Sequence, residues 1–167
     1  MNSIFTRRSI RTFTDESVSK ETMEEIIRAG MQSPSAMNKQ PWEFIVTNKQ
    51  EDKDAIAAAS PYANCVKNAD YAIIVLSNHK KDNREDYWWV QDLSAATQNI
   101  LLAITEASLA GVWFGFYPNE DRVNALKKYF DLNEKLLPFS VIAVGHSDEK
   151  NKFIDRYDAS KVYWRER

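Results

Sequence analysis

Glycine is scarce in this chain, and its placement excludes the commonest phosphate-binding folds. The 167 residues hold four glycines: Gly30, Gly111, Gly115 and Gly145. No G-x-G-x-x-G and no G-x-x-x-x-G-K-[ST] can be written from them, so neither a Rossmann fingerprint nor a P-loop is available. A nucleophile elbow G-x-S-x-G and a zinc-binding H-E-x-x-H are also missing from the sequence. If this chain holds a phosphorylated ligand, side chains must do the holding.

Other classes fall by the same kind of count. There is one cysteine, Cys65, and there are two histidines, His79 and His146, far apart in sequence. That excludes an intramolecular disulfide, predicts a chain without a metal site, and fits a reducing compartment. The cytoplasm is the expected location: no apolar run approaches the ~20 residues of a membrane span, and the N-terminus has no signal-peptide core. With 22 Lys+Arg against 24 Asp+Glu the net charge is −2, which gives no electrostatic footprint for duplex nucleic acid. Hydrophobic residues make up 44%, enough for a folded core rather than disorder. No repeat or linker interrupts the chain, so residues 1–167 read as one domain, with 146–167 as a charged and aromatic C-terminal extension.

The pattern predicts mixed helices and strands without regular βαβ alternation, hence an α+β class. Asn2 to Thr6 reads as a short helix. A firmer one starts after Ser19, a good N-cap flanked by the Val18/Met23 staple spacing, with Gly30 as its stop. Ser33 to Pro41 is a loop and Trp42 to Thr47 a strand. Asn48 and Glu51 resemble a capping box opening a helix toward Ala59. Tyr71 to Ser77 is apolar throughout, as in a buried central strand. Asp86 to Ala110 is the longest helical pattern, and its second half is apolar nearly all round, so its own core or a partner chain must enclose it. Val112 to Phe116 reads as a short strand, Asn119 as the cap of another helix, and Phe139 to Val144 as a last strand.

Three stretches carry possible chemistry. In Arg7-Arg8-Ser9-Ile10-Arg11, an extended backbone puts Arg7, Ser9 and Arg11 on one face. Guanidinium forks and a hydroxyl there suit a phosphate, and a solvated basic patch fits the same residues. Pro34-Ser35-Ala36-Met37-Asn38-Lys39-Gln40-Pro41-Trp42 offers small residues that let a planar ligand approach, with amides suited to ring edges; an ordinary connection fits it too. In Gly111-Val112-Trp113-Phe114-Gly115-Phe116-Tyr117-Pro118, Gly115 permits close backbone approach, and a strand bulge before a turn is the alternative.

Their order and spacing resemble those of the FMN-dependent nitroreductase family, in its short single-domain members. The likeness runs from Arg7 to about Arg156. It implies a nitroreductase-like fold, a central mixed sheet flanked by helices, in an intertwined homodimer with FMN at the interface. It further implies that Arg7, Arg8, Ser9 and Arg11 hold the phosphate and edge of FMN, and that Arg156 reaches the phosphate, with Lys152 as the competing tail cation. Pro34, Ser35, Ala36, Asn38 and Gln40 match the loop along the flavin, usually from the other subunit. Gly115, Phe116 and Tyr117 match the segment beside the isoalloxazine, where a backbone N–H commonly faces N5. Tyr87, Trp88, Trp89 and Gln91 match a region bordering the substrate pocket, or else pack the dimer. The implied activity is a ping-pong transfer from NADH or NADPH, through FMN, to a small electron-poor acceptor such as a nitroaromatic or quinone. No protein nucleophile is needed, since the cofactor carries the chemistry. A flavin-binding protein of regulatory or storage role, or a relative reducing another substrate class, is the alternative.

Overall fold

The computed structural model describes residues 2–78 and 88–166. Among the described residues the α-helices and strands are, in order, α1 (Asn2–Thr6), α2 (Lys20–Met31), β1 (Trp42–Thr47), α3 (Gln50–Ala59), β2 (Tyr71–Asn78), α4 (Trp88–Glu106), β3 (Ala110–Gly115), α5 (Glu120–Tyr129) and β4 (Leu136–Gly145). The strands form one sheet in the order β1-β2-β4-β3. All three pairings are antiparallel. The sheet is therefore α+β as expected but not mixed. The parallel element is an isolated bridge, Ser9 to Gly111.

β2 sits between two neighbours, which is why six of its residues in succession, Ala72 to Ser77, are buried. Alternation along it divides the core into two layers. Ile73 and Val75 face α2 and α4, together with Met23, Ile26, Leu93 and Ile100. Ala72, Ile74 and Leu76 face the other side, with Ile56 of α3 and Leu126 of α5. Where Val75 and Leu76 meet Ser140 and Pro138, the β4 register slips by one residue. Proline lacks the N–H a central ladder needs, and a bulge removes that demand. The displaced Phe139 carbonyl instead accepts from the N–H groups of Phe116 (3.1 Å) and Tyr117 (3.0 Å), tying the end of β3 to the sheet.

Two helix caps stand as read. Ser19 Oγ accepts from Thr22 N–H at 3.1 Å, and Asn119 Oδ1 from Arg122 N–H at 3.0 Å. Other boundaries differ for physical reasons. Gly30 does not stop α2, which runs on to Met31. A Cβ there would lie 2.7 Å from Ile100 Cγ1, so glycine serves the close approach of α2 to α4. The α3 cap is Lys49 rather than Asn48; Thr47 Oγ1 accepts from Lys49 N–H and donates to Asp52, replacing the expected capping box. α4 ends at Glu106, not Ala110. Ser108 adopts a left-handed conformation (φ 60°), with Leu109 N–H to the Ile104 carbonyl and Ser108 N–H to the Thr105 carbonyl. That is a Schellman closure made without glycine. β3 consequently begins at Ala110, two residues earlier than read, and ends at Gly115. The expected start of the helix, Asp86, and Tyr87 lie outside the described residues.

Candidate functional site

The basic N-terminal cluster divides into two sites. After α1 the chain runs extended beside β3, with Ile10 N–H donating to the Gly111 carbonyl at 3.2 Å. Ile10 turns into the core at 3% exposure, which leaves Ser9 and Arg11 exposed. Arg7 and Arg8 are half-buried at the other end. Arg8 donates to the carbonyls of Arg7 and, at 2.8 Å, Phe5. Its backbone N–H reaches Asn151 Oδ1 at 3.0 Å. Burial first, and then the guanidinium groups of Arg156 and Arg7, hold Arg8 below the ordinary arginine range. Arg156, 148 positions along (156 − 8), thus comes to the same place as Arg7 and Arg8. Like charges gathered in this way favour an anion between them, and Arg8 Nε is buried with no partner of its own.

The tail reaches Arg156 by returning over the start of its own chain. Ile154 N–H donates to the Phe5 carbonyl at 3.1 Å, and Phe153 stacks on Phe5 with ring centres 5.3 Å apart. Beyond it Tyr157, Tyr163 and Trp164 stay exposed at 67%, 89% and 75%.

Arg11 belongs to a different place, a recess of about 350 Å³. β3 walls it from Trp113 to Gly115, and Arg11, Ser60, Tyr62 and Arg122 complete it. Arg11 also lies near enough to Cys65 for its charge to act on the thiol, which burial pushes up and Arg11 partly draws back down. Gly115 is exposed, and a Cβ there would meet nothing within 4 Å. Its carbonyl accepts from Arg122 Nη1 at 3.2 Å, and the Arg122 guanidinium sits 5.1 Å from the centre of the Tyr62 ring. Ser60 is 1% exposed, and its Oγ has no hydrogen-bond partner. Buried hydroxyls are normally paired; Ser60 Oγ is an exception, itself shielded from solvent within the wall of the recess.

Sequence reasoning named Arg11 and Gly115 but missed Ser60, Tyr62 and Arg122. They stand in no motif, and only the fold carries the α3 end, the start of α5 and β3 to one point. Of the neighbours of Gly115, the Phe116 side chain is 1% exposed within the core on the α3–α5 side, so it cannot wall a ligand pocket. Tyr117 packs edge-on to Trp89 at 4.7 Å on the opposite side of the sheet. Trp89 is 3% exposed and structural, Trp88 is 55% exposed, and Gln91 is exposed.

The amide-bearing loop is a third, separate place. None of Pro34, Ser35, Ala36, Asn38 and Gln40 lines the recess. The loop is anchored on α4: Ala36 N–H donates to Asp92 Oδ1 at 3.0 Å, and Asn99 Nδ2 to Ser33 Oγ at 2.8 Å. Within it Gln40 N–H donates to Ser35 Oγ at 2.9 Å. Met37, Asn38 and Gln40 all have positive φ, 51°, 54° and 49°. Such backbone in side-chain-bearing residues is costly and tends to cluster at ligand clamps. Asn38 and Gln40 are exposed and Ser35 and Ala36 half-exposed.

An antiparallel sheet with helices packed on it, and arginines gathered where no glycine-rich loop stands, defines an α+β class of protein distinct from the dinucleotide folds. Comparison with known proteins narrows it. The family model described as "Nitroreductase family" matches residues 4–72 and 61–146. A relative from Archaeoglobus fulgidus, provisionally named an NADH dehydrogenase/NAD(P)H nitroreductase, is 38% identical, covering 96% of this chain and 94% of that one. Among solved structures, a protein provisionally described as an NADH oxidase from Clostridium acetobutylicum superposes with a TM-score of 0.93 at 43% identity, covering 99% of both chains. A nitroreductase in complex with FMN, from Desulfovibrio desulfuricans, superposes at 0.85 with 31% identity, covering 99% of this chain and 95% of that one. The chain belongs to the nitroreductase family and is an oxidoreductase of that family.

No helix among the described residues is long and apolar enough to cross a membrane.

Proposed function

We propose that this chain is an FMN-dependent oxidoreductase. It takes reducing equivalents from NADH or NADPH and passes them, by a ping-pong sequence, to a nitroaromatic, quinone or similar electron-poor acceptor. The observation that carries the reading is the division of the arginines. Arg7, Arg8 and Arg156 gather at one end, and Arg11 lies with Gly115 in a recess at the other. A phosphate joined to a flat polar ring by a flexible chain has the matching shape. Bound FMN supplies hydride acceptance and donation at N5. The chain supplies binding, orientation and electrostatics. On this reading the tail arginine and Arg7–Arg8 hold the phosphate. The open space at Gly115 admits the ring against backbone, and no side chain acts as nucleophile. One free cysteine, Cys65, supports a reducing compartment such as the cytoplasm.

The working unit on this reading is a homodimer. The Ser33–Gln40 loop stands apart from the recess within one chain, which favours its serving the partner's flavin. Exposed Tyr157, Tyr163 and Trp164 give the 146–167 extension an apolar surface for the partner. A groove of about 530 Å³ between α2 and β1, lined by Met23, Ile27, Met31 and Val46, is the complementary kind of surface.

The visible spectrum of the purified protein tests the cofactor, and NAD(P)H oxidation with menadione or a nitrofuran tests turnover. The expected result is one noncovalent FMN per chain and acceptor-dependent oxidation. Colourless protein that takes up no added FMN would overturn the reading. Bound flavin without turnover would leave a storage or regulatory role in its place.

A further inference from the structure

We propose that Asn151 and Phe153 are positioning residues for the phosphate of FMN: they pin the returning tail against the N-terminal segment so that Arg156 and Arg8 stand together. The proposal rests on the FMN reading above and deepens it, by naming what aims the arginines rather than which arginines bind.

From Asn151 to Asp158 the tail has no helix or strand of its own, so regular backbone pairing does not fix Arg156. Its guanidinium acts on that of Arg8, and like charges brought together repel. Something must hold the tail against that repulsion. The holding contacts run in antiparallel order along residues 5–14. Thr14 N–H donates to the His146 carbonyl at 2.9 Å, and Thr12 Oγ1 donates to Glu149 Oε1. Arg8 N–H then meets Asn151 Oδ1 at 3.0 Å, and the Phe5 carbonyl meets Ile154 N–H at 3.1 Å.

The last two contacts reach the arginines themselves. Asn151 accepts from the Arg8 backbone through Oδ1, and its Nδ2 donates to the Leu109 carbonyl at 3.4 Å. One amide thus ties Arg8 to the corner between α4 and β3. The Phe5 carbonyl is a shared acceptor, taking Arg8 Nη2 at 2.8 Å as well as Ile154 N–H. The Arg8 guanidinium and the tail two residues before Arg156 therefore meet at a single oxygen. The Phe5–Phe153 stack, with 21° between the ring planes, is the side-chain contact beside it. Phe153 is 65% exposed, and neither it nor Asn151 belongs to either core cluster. Their contacts serve local placement rather than the core.

FMN and riboflavin share the ring and differ in the phosphate, so a residue acting through Arg8 or Arg156 is read as a loss of FMN affinity alone. Asn151→Ala, Phe153→Ala and Phe153→Tyr are titrated with each flavin by fluorescence quenching. Flavin-free melting curves show whether each is folded, and Phe153→Ala, at a surface contact, keeps the test standing if Asn151→Ala is not. Each alanine variant should weaken FMN by about 3- to 10-fold, the cost of ordering a side chain that the wild type already holds in place. Riboflavin should bind both as it binds wild type. Phe153→Tyr keeps the stack and should bind FMN as wild type does. Phe153→Ala added to Arg156→Ala, and Asn151→Ala added to Arg8→Met, should cost FMN nothing further, because each anchor acts through the arginine already removed.

Equal losses for FMN and riboflavin would overturn the proposal by making the two residues structural. Unchanged FMN affinity in either alanine variant would overturn it for that residue, and full additivity with the arginine variants would overturn the route through Arg8 and Arg156. Each of these results leaves the FMN reading intact. Wild-type protein that binds neither flavin would remove the FMN reading and the proposal together.

Discussion

At the scale of single residues, charge placement decides what each arginine does. Arg8 spends two donors on carbonyls of its own turn and lies beside two other guanidinium groups. Such a cluster is relieved by a bound phosphate and strained without one. Arg156→Ala should therefore weaken FMN about 10- to 100-fold, since a charge-assisted hydrogen bond contributes roughly 1.5–3 kcal/mol and ~1.4 kcal/mol is a factor of ten. Riboflavin affinity should stay as in wild type, and Lys152→Ala should change neither. Arg11→Ala belongs to the other site and should cost FMN and riboflavin alike. If Lys152→Ala gives the FMN-selective loss and Arg156→Ala does not, the tail cation has been misassigned. Flavin titrations on the three variants decide.

At the scale of elements, the pairing of α2 with α4 holds the loop that follows α2. Gly30 lets the helices approach, and Asp92 and Asn99, seven residues apart on α4, then take the backbone of Ala36 and the Ser33 hydroxyl. Gly30→Ala gains helix propensity of about 1 kcal/mol. It also drives a methyl group to within 2.7 Å of Ile100 Cγ1, on a side chain that is 0% exposed. Overpacking of this kind costs about 1–3 kcal/mol, so the net effect should be a loss of stability, read as a lower urea midpoint at unchanged slope. In an Ile100→Ala background the same Gly30→Ala change should become stabilising, because the helix-propensity gain then stands alone. A stabilising Gly30→Ala in the wild-type background would mean that close packing is not what glycine serves there.

For the whole molecule, the loop residues Pro34, Ser35, Ala36, Asn38 and Gln40 do not line the Arg11–Gly115 recess of their own chain, and the proposed homodimer has them serve the partner's site. Apparent melting temperature should then rise with protein concentration, and rise again with FMN, because each acts on the assembled folded state. Mixed dimers give the sharper measurement. Arg11→Ala in one chain and Ala36→Trp in the other should each be poorly active as homodimers at limiting FMN. Co-refolded, they should regain activity, since one of the two sites then draws on wild-type residues from both chains. Sedimentation of an FMN-loaded monomer with full turnover would contradict the shared site.

Much of this architecture was legible in the residues. Local rules suffice where one element's stability depends on its own sequence: the Ser19 and Asn119 caps, the Trp42–Thr47 strand, and the unbroken apolar run of β2. The ordered motifs also sufficed for the family likeness, and thus for Arg11 and Gly115 as candidates. Tertiary structure decided whatever depends on residues distant in sequence. Gly30 read as a stop because local rules see a missing Cβ and cannot see Ile100 across the interface. α4 seemed to continue to Ala110 because Ser108 is an unusual closer, and the bonds to Ile104 and Thr105 that hold it left-handed belong to the folded turn. Phe116 looked available to a ligand until the core claimed it. Ser60 and Arg122 carry no sequence signal at all, since a serine becomes an orphaned donor only when packing removes its water. The separation of Arg8 from Arg11 had the same origin: burial of Ile10 turned the chain, and return of the tail over Phe5 brought Arg156 to one end of a cluster that sequence presented as continuous.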